Sequence, residues 1–152
     1  LLTILNKNVK GMQTMERTLV IIKPKAAAKK IVGKIISIYE DNHLDIIHAH
    51  RVLPTREVLE KHYEAHKGKD FFDSLIEFMS SSEVVILILE GENAVDIVRE
   101  INGSTDPKKA KPGSIRYMFG ETIQANAVHG SESAEAAKRE IEIWRDLIRL
   151  KG

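Results

Sequence analysis

The run Arg17-Thr18-Leu19-Val20-Ile21-Ile22-Lys23, stopped by Pro24, is the strongest constraint on the fold of this chain. β-Branched and aliphatic residues favour a strand, and proline, lacking an N–H, cannot continue a central ladder. Leu19 to Ile22 offers no polar face, so the strand is predicted to be buried on both sides. Val84 to Leu89 has the same character and ends at Glu90-Gly91. His43 to Leu53 alternates loosely through Leu44, Ile46, His48, His50 and Val52, which predicts a half-exposed strand.

Helical spacing separates these runs. Ala27, Ile31, Ile35 and Ile38 predict a helix over 26–40. Thr55 is placed to cap a helix bearing Val58, Leu59, His62 and Tyr63, and a shorter helix is predicted over Phe71 to Met79. Asn93 is a candidate cap for a helix carrying Val95, Val98 and Ile101. Ser131 is predicted to open a last helix, with Ala134, Ala137, Ile141, Trp144 and Ile148 on one stripe. Between them, residues 102–126 are punctuated by Gly103, Pro107, Pro112, Gly113 and Gly120, and long irregular segments in compact domains are commonly functional. With the helical insertion over 55–80 set aside, the order is β-α-β-β-α-β. Helices packed on one side of an antiparallel sheet then give a ferredoxin-like α+β fold.

The chain has 152 residues, which suits one domain. Residues 1–14 show no clean period and are expected to be an N-terminal extension or tag remnant, with the domain over 15–152. There is no cysteine, which removes disulfides, thiolate metal sites and cysteine nucleophiles. A net charge of +1 argues against nucleic-acid binding through bulk charge. No apolar run reaches the roughly 20 residues of a membrane span. With no export signal in view, a cytoplasmic location is expected.

The most informative stretch is Asn126-Ala127-Val128-His129-Gly130-Ser131-Glu132-Ser133. An isolated histidine is ordinarily structural. This one follows a short apolar strand, precedes a glycine that lets backbone approach closely, and leads into a helix start, where N–H groups favour an anion. Neutral imidazole is available as a nucleophile near neutral pH. Lys23 ends a buried strand, where a lysine has no packing reason to be; Arg99 lies late in a helix; Arg116 follows Pro112-Gly113-Ser114-Ile115. Each cation has an ordinary surface reading alone. Together with His129 they form a constellation suited to phosphoryl transfer.

From about Glu16 to Trp144 the chain resembles the nucleoside diphosphate kinase family. The stretches that carry the resemblance are ERTLVIIKP (16–24), IVGKII (31–36), HYEAHKGKDFF (62–72), EGENAV with Arg99 (90–99), GSTDPKKAKPGSIR (103–116) and NAVHGSES (126–133). The resemblance implies that His129 is the phosphorylated nucleophile, that Glu140 and Ser131 orient its ring, and that Tyr63 packs nearby. It implies that Lys23 contacts the transferred phosphate and the ribose 3′-hydroxyl, that Arg99, Thr105 and Arg116 bind phosphates, and that Asn126 binds sugar. Phe71 would stack on the base, with Leu75 and Ile123 completing an apolar clamp.

The implied reaction is ping-pong transfer of a γ-phosphate from a nucleoside triphosphate to a nucleoside diphosphate, with Mg²⁺ held through the nucleotide phosphates and no protein metal cage. The implied assembly is a homo-oligomer, a hexamer or a tetramer. The alternative is a non-catalytic nucleotide-binding regulatory module on the same fold.

The chain departs from the family pattern after the first strand. Lys25-Ala26 stands where Asp-Gly is usual, and Lys29-Lys30 where Arg-Gly is usual. Losing an acid at a helix N-terminus removes a cap and a dipole partner, so retained activity with altered stability or lysine positioning is expected. Tyr117-Met118 replaces a common Gly-Asp. His43, His48, His50, His62 and His66 show no compelling metal-ligand spacing and are expected to be structural or exposed. Lys108, Lys109 and Lys111 are expected to form a solvated loop face.

Overall fold

A computed structural model describes residues 15–149. The expected extension over 1–14 lies outside the described residues. Strand β1 (Met15–Ile22) runs into α1 (Pro24–Ala28) and α2 (Val32–Asp41), then β2 (Asp45–Val52). Helix α3 (Arg56–His62), a 3₁₀ turn (Glu64–His66) and α4 (Phe72–Met79) form the insertion before β3 (Val84–Glu92). Helix α5 (Ala94–Asn102) leads into the long segment, which holds a 3₁₀ turn (Pro107–Lys109) and α6 (Ile115–Phe119). Strand β4 (Val128–Gly130) and α7 (Ala134–Arg149) complete the described chain. The sheet order is β2-β3-β1-β4 and each neighbouring pair is antiparallel, which is the expected ferredoxin-like α+β arrangement.

Burial of β1 on both faces explains its unbroken apolar run. Val20 and Ile22 pack with Ala26, Ile35, Tyr39 and Val98 from α1, α2 and α5. Leu19 and Ile21 pack on the opposite side with Leu59, Ile76, Met79 and Trp144 from α3, α4 and α7. The crossover helices α1, α2 and α5 thus share one face, as expected for the ferredoxin-like order, while the insertion and the last helix cover the other. Each fully buried Leu or Ile contributes roughly 1.5–3 kcal/mol. The central position of β1 also places His129 opposite Ile21 in the ladder.

Local differences from the sequence reading have identifiable causes. The helix expected over 26–40 is split, because Lys30 adopts a left-handed φ of 61°. Apolar spacing continues across the break and conceals it. Thr55 caps α3 as expected, its hydroxyl accepting from the Val58 N–H at 3.2 Å. Asn93 makes no side-chain cap; the Glu16 carboxylate reaches from β1 and accepts from the Val95 N–H at 3.3 Å. The last helix starts at Ala134, with the Ser133 hydroxyl accepting from the Ala136 N–H at 3.0 Å, so Ser131 lies outside it. No described helix is long and apolar enough to cross a membrane.

Candidate active site

A cleft of about 1090 Å³ opens at the junction of the β1 end, β4, α5 and the long segment. Its walls bring together Lys23, Tyr63, Arg99, Thr105, Arg116, Asn126 and His129, with Phe71, Leu75 and Ile123 along its apolar part. Glu140 and Ser131, buried behind His129, complete the set of side chains singled out in the sequence.

The approach to His129 is a tight backbone turn. Ala127 has φ 77°, and the Val128 N–H donates to the Asn126 carbonyl at 3.0 Å. This is a γ-turn of the rare, strained kind. The Ala127 carbonyl accepts from the Lys23 N–H at 2.9 Å, tying the turn to the end of β1. Sequence gave no signal for it, because alanine does not advertise a positive φ.

His129 Nε2 lies 2.7 Å from Glu140 Oε1, and the Ser131 hydroxyl donates to the same oxygen at 2.8 Å. The carboxylate accepts, so Nε2 carries the proton and Nδ1 keeps its lone pair. Glu140 is held on α7 and is nearly fully buried, so its position is set by packing as well as by hydrogen bonds. The Tyr63 hydroxyl is buried without a hydrogen-bond partner among the described residues, and burial, then the Glu140 charge, pushes its pKa up.

The cations are held by backbone oxygens. Lys23 Nζ donates to the Gln124 carbonyl at 3.3 Å. Burial, then the Arg116 charge, lowers the Lys23 pKa to about 7. Arg116 donates to the Gly103 carbonyl at 2.7 Å and to the Val128 carbonyl at 2.9 Å, while its buried Nε has no partner among the described residues. Arg99 donates to the Glu132 carbonyl at 3.3 Å. Asn126 Nδ2 donates to the Thr105 carbonyl at 2.9 Å, leaving its buried Oδ1 without a partner among the described residues. Carbonyls holding the cations leave the site rich in donors, as polyphosphate recognition requires.

Two further groups escaped the sequence reading. Gln124 supplies the carbonyl for Lys23, and its side-chain amide donates to Ser74 Oγ at 3.3 Å across the apolar end of the cleft. His62, expected to be structural or exposed, is buried with its ring centroid 4.6 Å from that of His129. Ring nitrogens of His62 and His129 and an oxygen of Glu140 lie within 4.8 Å of one another, but Glu140 already accepts from His129 and Ser131.

The departures after β1 find a partner. Glu121, on the segment leading to Asn126, accepts from Lys25 at 2.9 Å and from Lys29 at 3.2 Å. Those hydrogen bonds hold the Glu121 carboxyl below its ordinary pKa. Tyr117 and Met118 are exposed and do not line the cleft, and neither do Lys108, Lys109 and Lys111.

Comparison with known proteins places the chain in a family. A family model described as nucleoside diphosphate kinase matches residues 16–147. The chain is 53% identical over 130 residues to the nucleoside diphosphate kinase of Nitratiruptor sp., covering 86% of this chain and 95% of that protein. It is 52% identical to the corresponding protein of Caldanaerobacter subterraneus subsp. tengcongensis, covering 86% and 94%. A crystal structure of the Aquifex aeolicus nucleoside diphosphate kinase superposes with a TM-score of 0.82 at 41% identity, covering 86% of this chain and 94% of that one. The chain belongs to the nucleoside diphosphate kinase family, and is a phosphotransferase that moves a γ-phosphate from a nucleoside triphosphate to a nucleoside diphosphate.

Proposed function

We propose that the transfer runs in two half-reactions through His129. Nδ1 attacks the γ-phosphorus of a nucleoside triphosphate, the N–P bond forms, and the bond to the β-phosphate oxygen breaks as the diphosphate leaves. A terminal oxygen of a second nucleoside diphosphate then attacks the same phosphorus and releases the imidazole. The observation that carries this reading is the hydrogen bond from His129 Nε2 to Glu140, which leaves Nδ1 as the ring's free lone pair in a cleft lined with cations.

In this reading Lys23, Arg99 and Arg116 stabilise charge on the phosphoryl group and Thr105 adds a hydroxyl. Tyr63 offers its unpartnered hydroxyl to the same region, and the free Asn126 Oδ1 accepts from a sugar hydroxyl. Phe71, Leu75 and Ile123 grip a base by its face, which tolerates every base. Glu140 and Ser131 act through His129.

Mg²⁺ fits this donor set through the nucleotide rather than through a protein cage. The cleft walls are dominated by nitrogen donors, with Glu100 and Glu132 their available carboxylates. When bound, the ion neutralises charge on the phosphates.

We read residues 15–152 as one kinase domain that works in the cytoplasm, where its nucleotide substrates are. A homo-oligomer, hexamer or tetramer, is supported by the outer edge of β2, which is unpaired among the described residues, and by exposed Tyr117 and Met118 on the long segment. No observation favours the non-catalytic alternative.

The test uses γ-labelled ATP with Mg²⁺. Label is expected on the protein, stable to base, lost in acid, and transferred to added GDP. Absence of label on folded wild type, or its persistence in His129→Ala, overturns the reading.

A further inference from the structure

His62 has three features that a filler residue would not need together. It is buried at 5% exposure. Its Nδ1 accepts from the Trp144 indole N–H at 3.1 Å. Its ring stands edge-on to the His129 ring, with centroids 4.6 Å apart and planes at 77°. An indole N–H can only donate. His62 Nδ1 therefore carries a lone pair, and the proton of the neutral ring is on Nε2. Trp144 is itself fully buried on α7, the helix that also presents Glu140.

We propose that His62 is a positioning residue for the reaction: locked by Trp144 in one neutral tautomer, it forms a fixed, uncharged wall that holds the plane of the His129 ring. This rests on the reading of His129 as the phosphorylated nucleophile. Glu140 fixes one edge of the His129 ring through a single hydrogen bond, and one bond leaves the ring free to swing about it. The edge-on contact with His62 removes that freedom, so Nδ1 meets the phosphorus in one orientation.

Neutrality is part of the device. The basic nitrogen of His62 is the one occupied by the Trp144 N–H, so protonation there breaks that bond and puts a buried charge against His129. The charges facing His62 come from several elements. His129 lies on β4, Arg139 and Glu140 on α7, Lys23 at the end of β1, and His66 on the 3₁₀ turn after α3. Burial first, then the positive members of that group, hold the His62 pKa well below its ordinary value.

The test compares wild type with His62→Phe, which keeps a ring but loses the acceptor, and Trp144→Phe, which keeps packing bulk but loses the donor. Single-turnover phosphorylation of His129 by ATP and Mg²⁺ is followed from about pH 5.5 to 8.5, across the histidine range, with ATP affinity and thermal stability measured alongside. Nitrogen-15 NMR of wild type is expected to show His62 as the Nε2–H tautomer throughout. His62→Phe is expected to lower the phosphorylation rate about tenfold or more at unchanged ATP affinity. Trp144→Phe is expected to match wild type at high pH and lose rate at a higher pH on the acid side. A His62 that is protonated or in the Nδ1–H form at pH 6.5 overturns the proposal. So does a folded His62→Phe that phosphorylates at the wild-type rate. If either variant is unfolded, the tautomer in wild type still decides. Failure of wild type to label on His129 would instead defeat the reading on which the proposal rests.

Discussion

His129 and Glu140 are separated by 11 positions in the chain and by 2.7 Å between Nε2 and Oε1. The carboxylate comes from the second turn of α7 and meets a ring on the three-residue strand β4, so the orientation of the proposed nucleophile depends on how α7 packs on the sheet. Neither Glu140 nor Ser131 lines the cleft. Glu140→Ala is therefore expected to lower kcat by about 10–100-fold, the usual cost of losing an orienting partner, with little change in KM. Ser131→Ala, which removes the second donor to Oε1 and the longer 3.4 Å contacts with the Leu19 backbone, is expected to cost less. Steady-state kinetics on both variants check this, and an unchanged kcat in Glu140→Ala would separate the carboxylate from the chemistry.

Lys23 is a charge kept for function at a cost to stability. Its pKa falls to about 7 because burial, and next the Arg116 guanidinium, disfavour the ammonium. In the unfolded chain a lysine titrates near 10.4. A lowered lysine pKa means the folded state binds fewer protons between these values, so the penalty is complete below about pH 7 and is relieved as pH rises toward 10.4. Lys23→Met is expected to raise the melting temperature at pH 7 while reducing turnover. Nucleotide binding near pH 8 is expected to take up a proton, because a phosphate beside Nζ favours the ammonium. Calorimetry in buffers of different ionisation enthalpy reads that proton directly; no uptake would mean that Lys23 is already charged in the free enzyme.

The strands, the ferredoxin-like order and the His129, Lys23, Arg99 and Arg116 constellation were legible from local signatures, whereas Tyr63, Phe71, Leu75, Thr105, Ile123 and Asn126 were singled out only through the family resemblance. Leu19 to Ile22 is unbroken by polar residues, and NAVHGSES joins a short strand, a glycine and a helix start. Tertiary features were less legible. The Ala127 γ-turn is enforced by Lys23 and Asn126 rather than by the turn residue itself. His62 looked like one position on a helical stripe, and only the packing of α3 against α7 puts it between Trp144 and His129. Glu121 lies far along the chain from Lys25 and Lys29, so the compensation for their altered charge was invisible until the long segment folded back.

That compensation changes what restoring an acid at position 25 should do. Helix α1 has no side-chain cap and only five residues, so Lys25 matters through its partner more than through the helix dipole. Lys25→Asp removes one ion pair and sets a second carboxylate near Glu121. A small loss of stability is expected, because both partners are exposed to solvent. Lys25→Asp combined with Glu121→Lys restores a pair at these two positions but sets an ammonium beside Lys29, so partial recovery is expected. Thermal melts of the two single variants and the double variant measure the interaction, and strictly additive effects would show that the pair does not matter.

Lys30 offers a simpler gain. It holds φ 61° between α1 and α2 and is exposed. The left-handed conformation costs an L-residue roughly 1–2 kcal/mol, part of which glycine gives back through its freer unfolded chain. Lys30→Gly is expected to stabilise by about 1 kcal/mol, or about 2–4 °C in Tm for a chain of this size, with turnover unchanged. A lower Tm would mean that the lysine side chain contributes more than its backbone costs.

Phe71 tests how the enzyme reads its substrate. The residue is 47% exposed at the mouth of the cleft, its ring tilted against His66 at 5.3 Å with Lys69 Nζ 5.8 Å from its centroid. Phe71 and its apolar neighbours Leu75 and Ile123 carry no hydrogen-bonding side-chain atoms, so the proposed clamp would grip a base through its face and area. Base–aromatic stacking is worth about 1–3 kcal/mol by alanine substitution whichever base is stacked. Phe71→Ala is therefore expected to raise KM for ATP, GTP, CTP and UTP by similar factors, somewhat more for the larger purines, while kcat changes little because the phosphoryl end is untouched. Gln124 is a polar side chain beside this clamp, and its amide is already committed to Ser74 at 3.3 Å. Gln124→Ala should then leave the ratio of purine to pyrimidine KM unchanged. If Phe71→Ala weakens one base selectively, or Gln124→Ala shifts the ratio, an edge contact is reading the base, and stacking alone does not explain its recognition.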